Sequence, residues 1–250
     1  YVAWNWKAGG TASSNTNGTI TSSVSANPAA GFSIVSWTHG SGSQSIGHGL
    51  SQKPDMIIVK GRSNVSSWWT WHKGLSSETQ SFIHLNTTDA AGANANAWNN
   101  QAPTASVFYQ KEYILSNNDT GIAYCFHSVD GYSKVGSFIG NGSETAGPFV
   151  HLGFKPAFLL VRRATEVGSW FMFDNARGTT YNVGLNFDNV RDNKLNAESS
   201  AAEDADSSWN IDFLSNGFKL RSPHVYMNSG SNTHIFLAFA ESPFKHTNAH

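Results

Sequence analysis

The residues best suited to chemistry in this 250-residue chain are aromatic. Trp68, Trp69 and Trp71 fall close together, and in a strand Trp69 and Trp71 would share one face while Trp68 takes the other. Aromatic rings on an open strand face stack on the apolar C–H face of a sugar. Trp98 and Trp209 stand in polar, loop-like contexts, where a ring has less reason to be core. Trp68, Trp69, Trp98 and Trp209 are therefore the candidate ligand-binding residues. The competing reading is packing. It suits Trp71 and Trp170 better than exposure does, it suits Trp37 and Phe138 better still, and it divides evenly with exposure at Trp68.

The other reactive residue types form no recognisable constellation. Ten histidines are present, but none falls in an HExxH, HxH or Cys/His spacing, so no metal site is expected. His48, His72, His84, His127, His151 and His224 stand beside aromatics, as satisfied, part-buried imidazoles do; His246 and His250 lie in a polar tail. Asp188, Asp192, Glu198, Glu203, Asp204, Asp206 and Asp212 cluster late in the chain. Asp188-Asn-Val-Arg-Asp192-Asn193 has the oxygens for a calcium loop but not the Asp-x-Asp-x-Asp-Gly order, so a solvated acidic loop is the simpler reading. No two acids stand where a sugar-cleaving pair would be recognised. Gly40-Ser-Gly-Ser43 is not a G-x-S-x-G elbow, and it reads as a hairpin turn, as does Asn141-Gly142. No catalytic residue and no cofactor is expected. Asn-x-Ser/Thr triplets at Asn17, Asn64, Asn86, Asn118 and Asn141 follow from composition.

Composition narrows the partners. Charged residues are 13% of the chain, about half the usual share, and the net charge is −1. Lys and Arg are scattered singly, which argues against nucleic acid. No segment approaches the ~18 apolar residues of a membrane-spanning helix. The lone Cys125 excludes an intrachain disulfide and reads as a small buried hydrophobe.

The elements that must position these residues are strands, and they come twice. Gly31-Phe-Ser-Ile-Val-Ser-Trp37 is echoed by Gly131-Tyr-Ser-Lys-Val-Gly-Ser137. Lys53-Pro54-Asp-Met-Ile-Ile-Val59 is echoed by Lys155-Pro156-Ala-Phe-Leu-Leu-Val161, and the Trp68–Trp71 cluster by Trp170-Phe-Met-Phe173. Leu85-Asn86 and Leu185-Asn186 follow, at the same distance from Gly31 and Gly131. These landmarks, repeated in one order, predict an internal duplication. Gly31 and Gly131 are expected at turns needing positive φ. The runs Met56–Val59 and Phe158–Val161 predict strands covered on both faces. Further strands are expected at Trp68–His72, Ser81–Leu85, Ser106–Leu115, Gly121–Phe126, Phe218–Arg221 and His234–Ala240, with almost no helix. The predicted fold is all-β: two similar β-sandwich units of antiparallel strands. Residues 31–130 form the first unit and 131–250 the second, after an N-terminal strand and a Ser/Thr/Asn-rich linker over 1–30. The opening Val2-Ala-Trp-Asn-Trp6 resembles the strands at Ile122–Phe126 and Ile235–Phe239 that close each unit, and the chain begins without Met. It reads as a piece of a longer polypeptide; alternatively, its first residues add a strand to one of the units.

In Gly49-Leu-Ser-Gln-Lys-Pro-Asp-Met-Ile-Ile-Val-Lys60, Ile122–Phe126, Leu214-Ser-Asn-Gly-Phe-Lys-Leu-Arg221 and Ala238-Phe-Ala-Glu-Ser-Pro-Phe-Lys245, the chain resembles an uncharacterised repeat family. Its members occur in tail-fibre-like and other virion proteins of marine phages and cyanophages. The resemblance implies a setting, the virion exterior, and carries over no catalytic residue. The expectation is a non-enzymatic virion module, part of a tail fibre or similar appendage used in host-surface glycan attachment. Its partners would be other virion subunits and host glycan, and a homotrimer would suit a fibre. Two alternatives stand beside it: a capsid decoration or fibre-shaft protein, and a glycan-degrading virion enzyme.

Overall fold

The computed structural model describes residues 3–177 and 190–242. Leu185, Asn186 and Asp188 lie outside the described residues, as do Val2, the Pro243–Lys245 end of the family-like motif, His246 and His250. The chain is all-β and divides into two compact units: Tyr1–His84 with Gly92–His127, and Leu85–Ala91 with Ser128–His250.

The first unit is built on strands β1 (Ser13–Asn15), β2 (Ser22–Asn27), β3 (Phe32–Thr38), β4 (Gln44–Gly47), β5 (Met56–Gly61), β6 (Trp69–His72), β7 (Ser81–His84), β8 (Gly92–Ala93), β9 (Val107–Gln110) and β10 (Thr120–Phe126). They form a sheet in the order β1-β2-β3-β10-β5-β6-β7-β8 and a two-stranded ribbon, β4-β9. The core lies between them, where Val35, Ile57, Val59, Trp71 and Cys125 of the sheet meet Ile46 and Phe108 of the ribbon.

In the second unit, β11 (Ser133–Ile139), β20 (Thr233–Ala240), β13 (Pro156–Arg163), β14 (Phe171–Asp174), β16 (Asn193–Asn196) and β17 (Asp204–Ala205) make one sheet in that order. Its companion is β12 (Phe149–His151), β19 (Gly217–Leu220), β18 (Ile211–Leu214) and β15 (Val190–Arg191). Helix among the described residues is limited to single turns such as α1 (Val225–Asn228).

The strand orders correspond. β3-β10-β5-β6-β7-β8 and β11-β20-β13-β14-β16-β17 follow one sequence of connections, with Met56–Gly61 and Pro156–Arg163 third in each. The side chains compensate across the two. In the first unit Val35 stands opposite Ala123, whereas at the matching place Gly136 stands opposite Phe236. A Cβ on Gly136 would come within 2.7 Å of the Phe236 ring, so in this pair the large side chain stands on the other strand and the glycine leaves it room. Ile57, Val59, Leu159 and Val161 are buried, and so are Met56, Ile58, Phe158 and Leu160 on the opposite face, which is why these runs carry no polar residue.

Several expectations are corrected. The N-terminal strand and linker expected over 1–30 are replaced: residues 3–12 carry no strand, whereas β2 pairs along β3 and β1 along β2, which extends the first unit's sheet. The units part at His127/Ser128 rather than at 130/131, and Leu85–Ala91 goes with the second. Gly40–Ser43 and Asn141-Gly142 are not hairpin turns, because each joins strands of different sheets. Type I′ needs two residues at positive φ, and only Gly142 of that pair is so placed, at +68°. The strand expected over Ser106–Leu115 ends at Gln110, and Ile114 and Leu115 turn into the core instead. Gly31 and Gly131 both have positive φ, at +64° and +71°, but Gly31 directly precedes its strand while Gly131 stands two residues ahead.

Candidate functional site

The first unit carries a groove that begins with the alternation of β2. Ser22 and Val24 turn inward and are buried, which turns Ser23 and Ser25 to the other face. Strand pairing aligns Ser14, Ser23, Ser36 and Ile122 in one row across β1, β2, β3 and β10. Thr38 and Thr120 form the next row, and the Arg62 backbone N–H donates to the Thr120 carbonyl (2.8 Å), which brings Arg62 beside them. The segment from Lys7 to Ala12 makes the wall. It is tied down where the Ser25 hydroxyl donates to the Gly10 carbonyl (2.6 Å) and Asn27 Nδ2 to the Lys7 carbonyl (3.3 Å). Gly9 lies so close to the Ala26 backbone that a Cβ would sit 1.9 Å from its carbonyl oxygen.

Two adjoining hollows of about 410 and 590 Å³ share Ser23, Ser36 and Arg62 and make one shallow, solvent-open groove. That is the size range of small-molecule sites; hydroxyls line the smaller hollow, while Ala8, Ala12, Ile34 and Ile122 give the larger one a mainly apolar wall. The side chains of Ser14, Ser23, Ser36, Thr38 and Thr120 have no hydrogen-bond partner among the described residues. The only charged side chains in the lining are Lys7 and Arg62. The nearest acid in sequence is Asp119, next to Thr120. Its carboxylate accepts from the Ser116 N–H, the Ser63 hydroxyl and Asn64, and these bonds, the backbone one foremost, hold it below the usual carboxylate range.

The four candidate tryptophans are not brought together. Trp98 is corrected outright: it is 1% exposed and its indole N–H donates to the Ser81 carbonyl (2.9 Å), so it is core. A polar stretch around an aromatic residue can be a loop folded over the core, and sequence context does not separate the two. Trp209 is half-buried but engaged on every side. The Lys194 ammonium lies 4.5 Å from its ring centroid, His224 4.4 Å and Phe171 5.1 Å, and its N–H donates to Asp204 (3.0 Å). No ring face is left for a sugar. Trp69, half-buried, packs with Phe82, His84 and Tyr113, at centroid distances of 4.6, 4.4 and 5.4 Å. Trp68, also half-buried, stacks on Tyr124 at 6.4 Å. Neither borders the groove. Trp71 and Trp170 are buried, and Trp37, closing one end of the groove, is 5% exposed.

The remaining candidates are structural. Among the described residues, no group of three His, Cys, Asp or Glu side chains could hold a metal. His48 accepts from the Leu50 N–H at Nδ1 (3.1 Å), and Nε2 meets the Thr104 carbonyl (3.2 Å). Burial lowers its pKa to about 4, so it is neutral. Burial likewise lowers His224, against a smaller opposing pull from Asp206. Asp192 and Asp212 are buried, and Asp212 accepts from Arg221 Nε (2.6 Å). Burial pushes the Cys125 thiol up to about 12, so it is no nucleophile.

A family model matches residues 1–243, through both units. The chain belongs to the family described as Domain of unknown function (DUF7483). No curated protein and no solved structure matches it. In this DUF7483 chain the groove is what sequence reading missed. Its signal was present: Thr21, Ser23 and Ser25 alternate with Ser22, Val24 and Ala26, which is a strand with one polar face rather than a linker.

Proposed function

We propose that this chain is a non-enzymatic module of a virion exterior, part of a tail fibre or similar appendage, and that it attaches to host-surface glycan through the groove of its first unit. The observation that carries the binding reading is the row of unpartnered hydroxyls on β1, β2, β3 and β10 beside two cations. Sugars are recognised by hydroxyl-for-hydroxyl exchange with water, and a rigid sheet face offers that pattern with its backbone already ordered. The virion setting rests on the resemblance to marine-phage and cyanophage proteins. What supports attachment without turnover is that the lining of this groove holds no carboxylate and no imidazole to move a proton.

A glycan array read with the wild-type chain and with Ser36→Trp, which fills the groove, tests this. Binding that the substitution abolishes is the expected result. Unchanged binding would remove the groove from the account, and release of reducing sugar would replace attachment with hydrolysis.

A second reading, a decoration or fibre-shaft role, has one observation in its favour. Val167, Val225 and Tyr226 are exposed together on the second unit, where Arg163 holds the Val167 and Val225 carbonyls and lies 5.3 Å from the Tyr226 ring. A fixed apolar patch of this kind suits a neighbouring subunit.

A further inference from the structure

We infer that the groove selects a saccharide carrying a negative charge, a carboxylate or a sulfate, and that Arg62 and Lys7 hold that charge. This rests on the glycan reading above and names the class of glycan. Most cations of this chain are spent on the protein itself. Lys53, Lys73, Lys155, Arg163, Lys194 and Arg221 each lie within about 3 Å of an acid. Lys60, in the same sheet row as Ser36, is also committed, with its ammonium on the Ser66 carbonyl (2.6 Å). Arg62 and Lys7 are exposed, line the same hollow, and have no ion-pair partner among the described residues. Asp119 keeps its charge, but its carboxylate is directed at the Ser116 N–H, the Ser63 hydroxyl and Asn64, and it makes no ion pair with Arg62 and is not part of the groove lining.

The groove lining thus carries two cationic side chains and no acid, in a chain of net charge −1. Arginine's planar fork matches a carboxylate or sulfate with two parallel N–H···O bonds, and lysine adds a point charge from the wall. The flanking hydroxyls of Ser23, Ser36 and Thr120 both donate and accept, as the ring hydroxyls of the same sugar require. A nucleic-acid strand is the poorer match. Its bases would need exposed aromatic faces, and its phosphates a run of cations, neither of which lines the groove.

The test is calorimetric titration of the whole chain with dextran sulfate, polygalacturonate and unmodified dextran at low and high salt. The charged polymers should bind, more weakly as salt rises. Arg62→Gln should weaken that binding roughly tenfold, the size of one charge-assisted contact, with a smaller loss for Lys7→Gln. Lys111→Gln, which removes a cation outside the groove, should change nothing. Equal affinity for dextran and its sulfate would overturn the inference and leave the glycan reading standing. So would weakening by Lys111→Gln as large as by Arg62→Gln, which would mean diffuse attraction. No binding to any of the three polymers, while labelled chain still adsorbs to bacterial cells, would likewise overturn it. Failure on polymers, array and cells together would end both.

Discussion

Acid should destabilise each unit through one buried histidine, and the size of the effect follows from the geometry. His48 is enclosed in the first unit, with the Leu50 N–H directed at Nδ1, and His234 lies in the second, stacked on Phe138 at 5.0 Å. Burial lowers both to about 4 from an ordinary value of 6.5. A depressed imidazole refuses a proton that the unfolded chain accepts, so stability is full above pH ~6.5 and falls as pH drops toward ~4. At pH 5 each histidine should cost about 2 kcal/mol relative to pH 7, rising to roughly 3 kcal/mol at pH 4. Denaturant unfolding at pH 7 and pH 5 measures the total, to which carboxylates also contribute. The variant isolates the histidine. His48 and Leu152 occupy matching places, each donating its N–H to the carbonyl of the residue before the partner strand (Ser106 before β9, Asn216 before β19). His48→Leu therefore gives the first unit the residue the second already tolerates. It loses the Leu50 contact at every pH, but its pH 7-to-5 loss should shrink by about 2 kcal/mol. An unchanged slope, or an NMR titration placing His48 above pH 6, would refute the reasoning.

Three further outcomes follow. Ile57→Ala, in a fully buried central strand, should cost about 2–5 kcal/mol by denaturant melt. Gly136→Val should destabilise the second unit by about 1–3 kcal/mol because the new side chain meets Phe236; adding Phe236→Ala, the first unit's pairing of Val35 with Ala123, should recover part of that loss. Trp98→Ala should cost about 3–5 kcal/mol, whereas Trp209→Ala should leave glycan-array binding as it was, since its ring faces are already filled.

The all-β class and the two buried central strands were legible because Met56–Val59 and Phe158–Val161 are unbroken apolar runs, which only two-sided burial explains. The ends of elements were less so. Tyr113–Leu115 resumes the apolar pattern of β9 after Lys111-Glu112 yet lies outside the strand, because Ile114 and Leu115 find core partners by turning inward. Gly40–Ser43 and Asn141-Gly142 carry hairpin dipeptides, but the strands they join belong to different layers, and local turn chemistry says nothing about which layer the next strand enters. The groove was hidden for a related reason. Hydroxyls on a strand and hydroxyls in a linker look alike until pairing aligns Ser14, Ser23 and Ser36, and Arg62 arrives from the turn after β5, distant in sequence. Tryptophan was misleading at Trp98 and Trp209 because polar neighbours in sequence do not make an open ring face in space.

Amide hydrogen exchange on the whole chain, with and without the glycan that binds best on the array, tests the central claim most directly. Slowed exchange confined to Lys7–Ala12, β1, β2, β3, β10 and the Gly61–Arg62 turn is the result the groove requires. Protection centred on Val167, Val225 and Tyr226, or on the Trp69 and Tyr113 rings, with the groove unchanged, would contradict it.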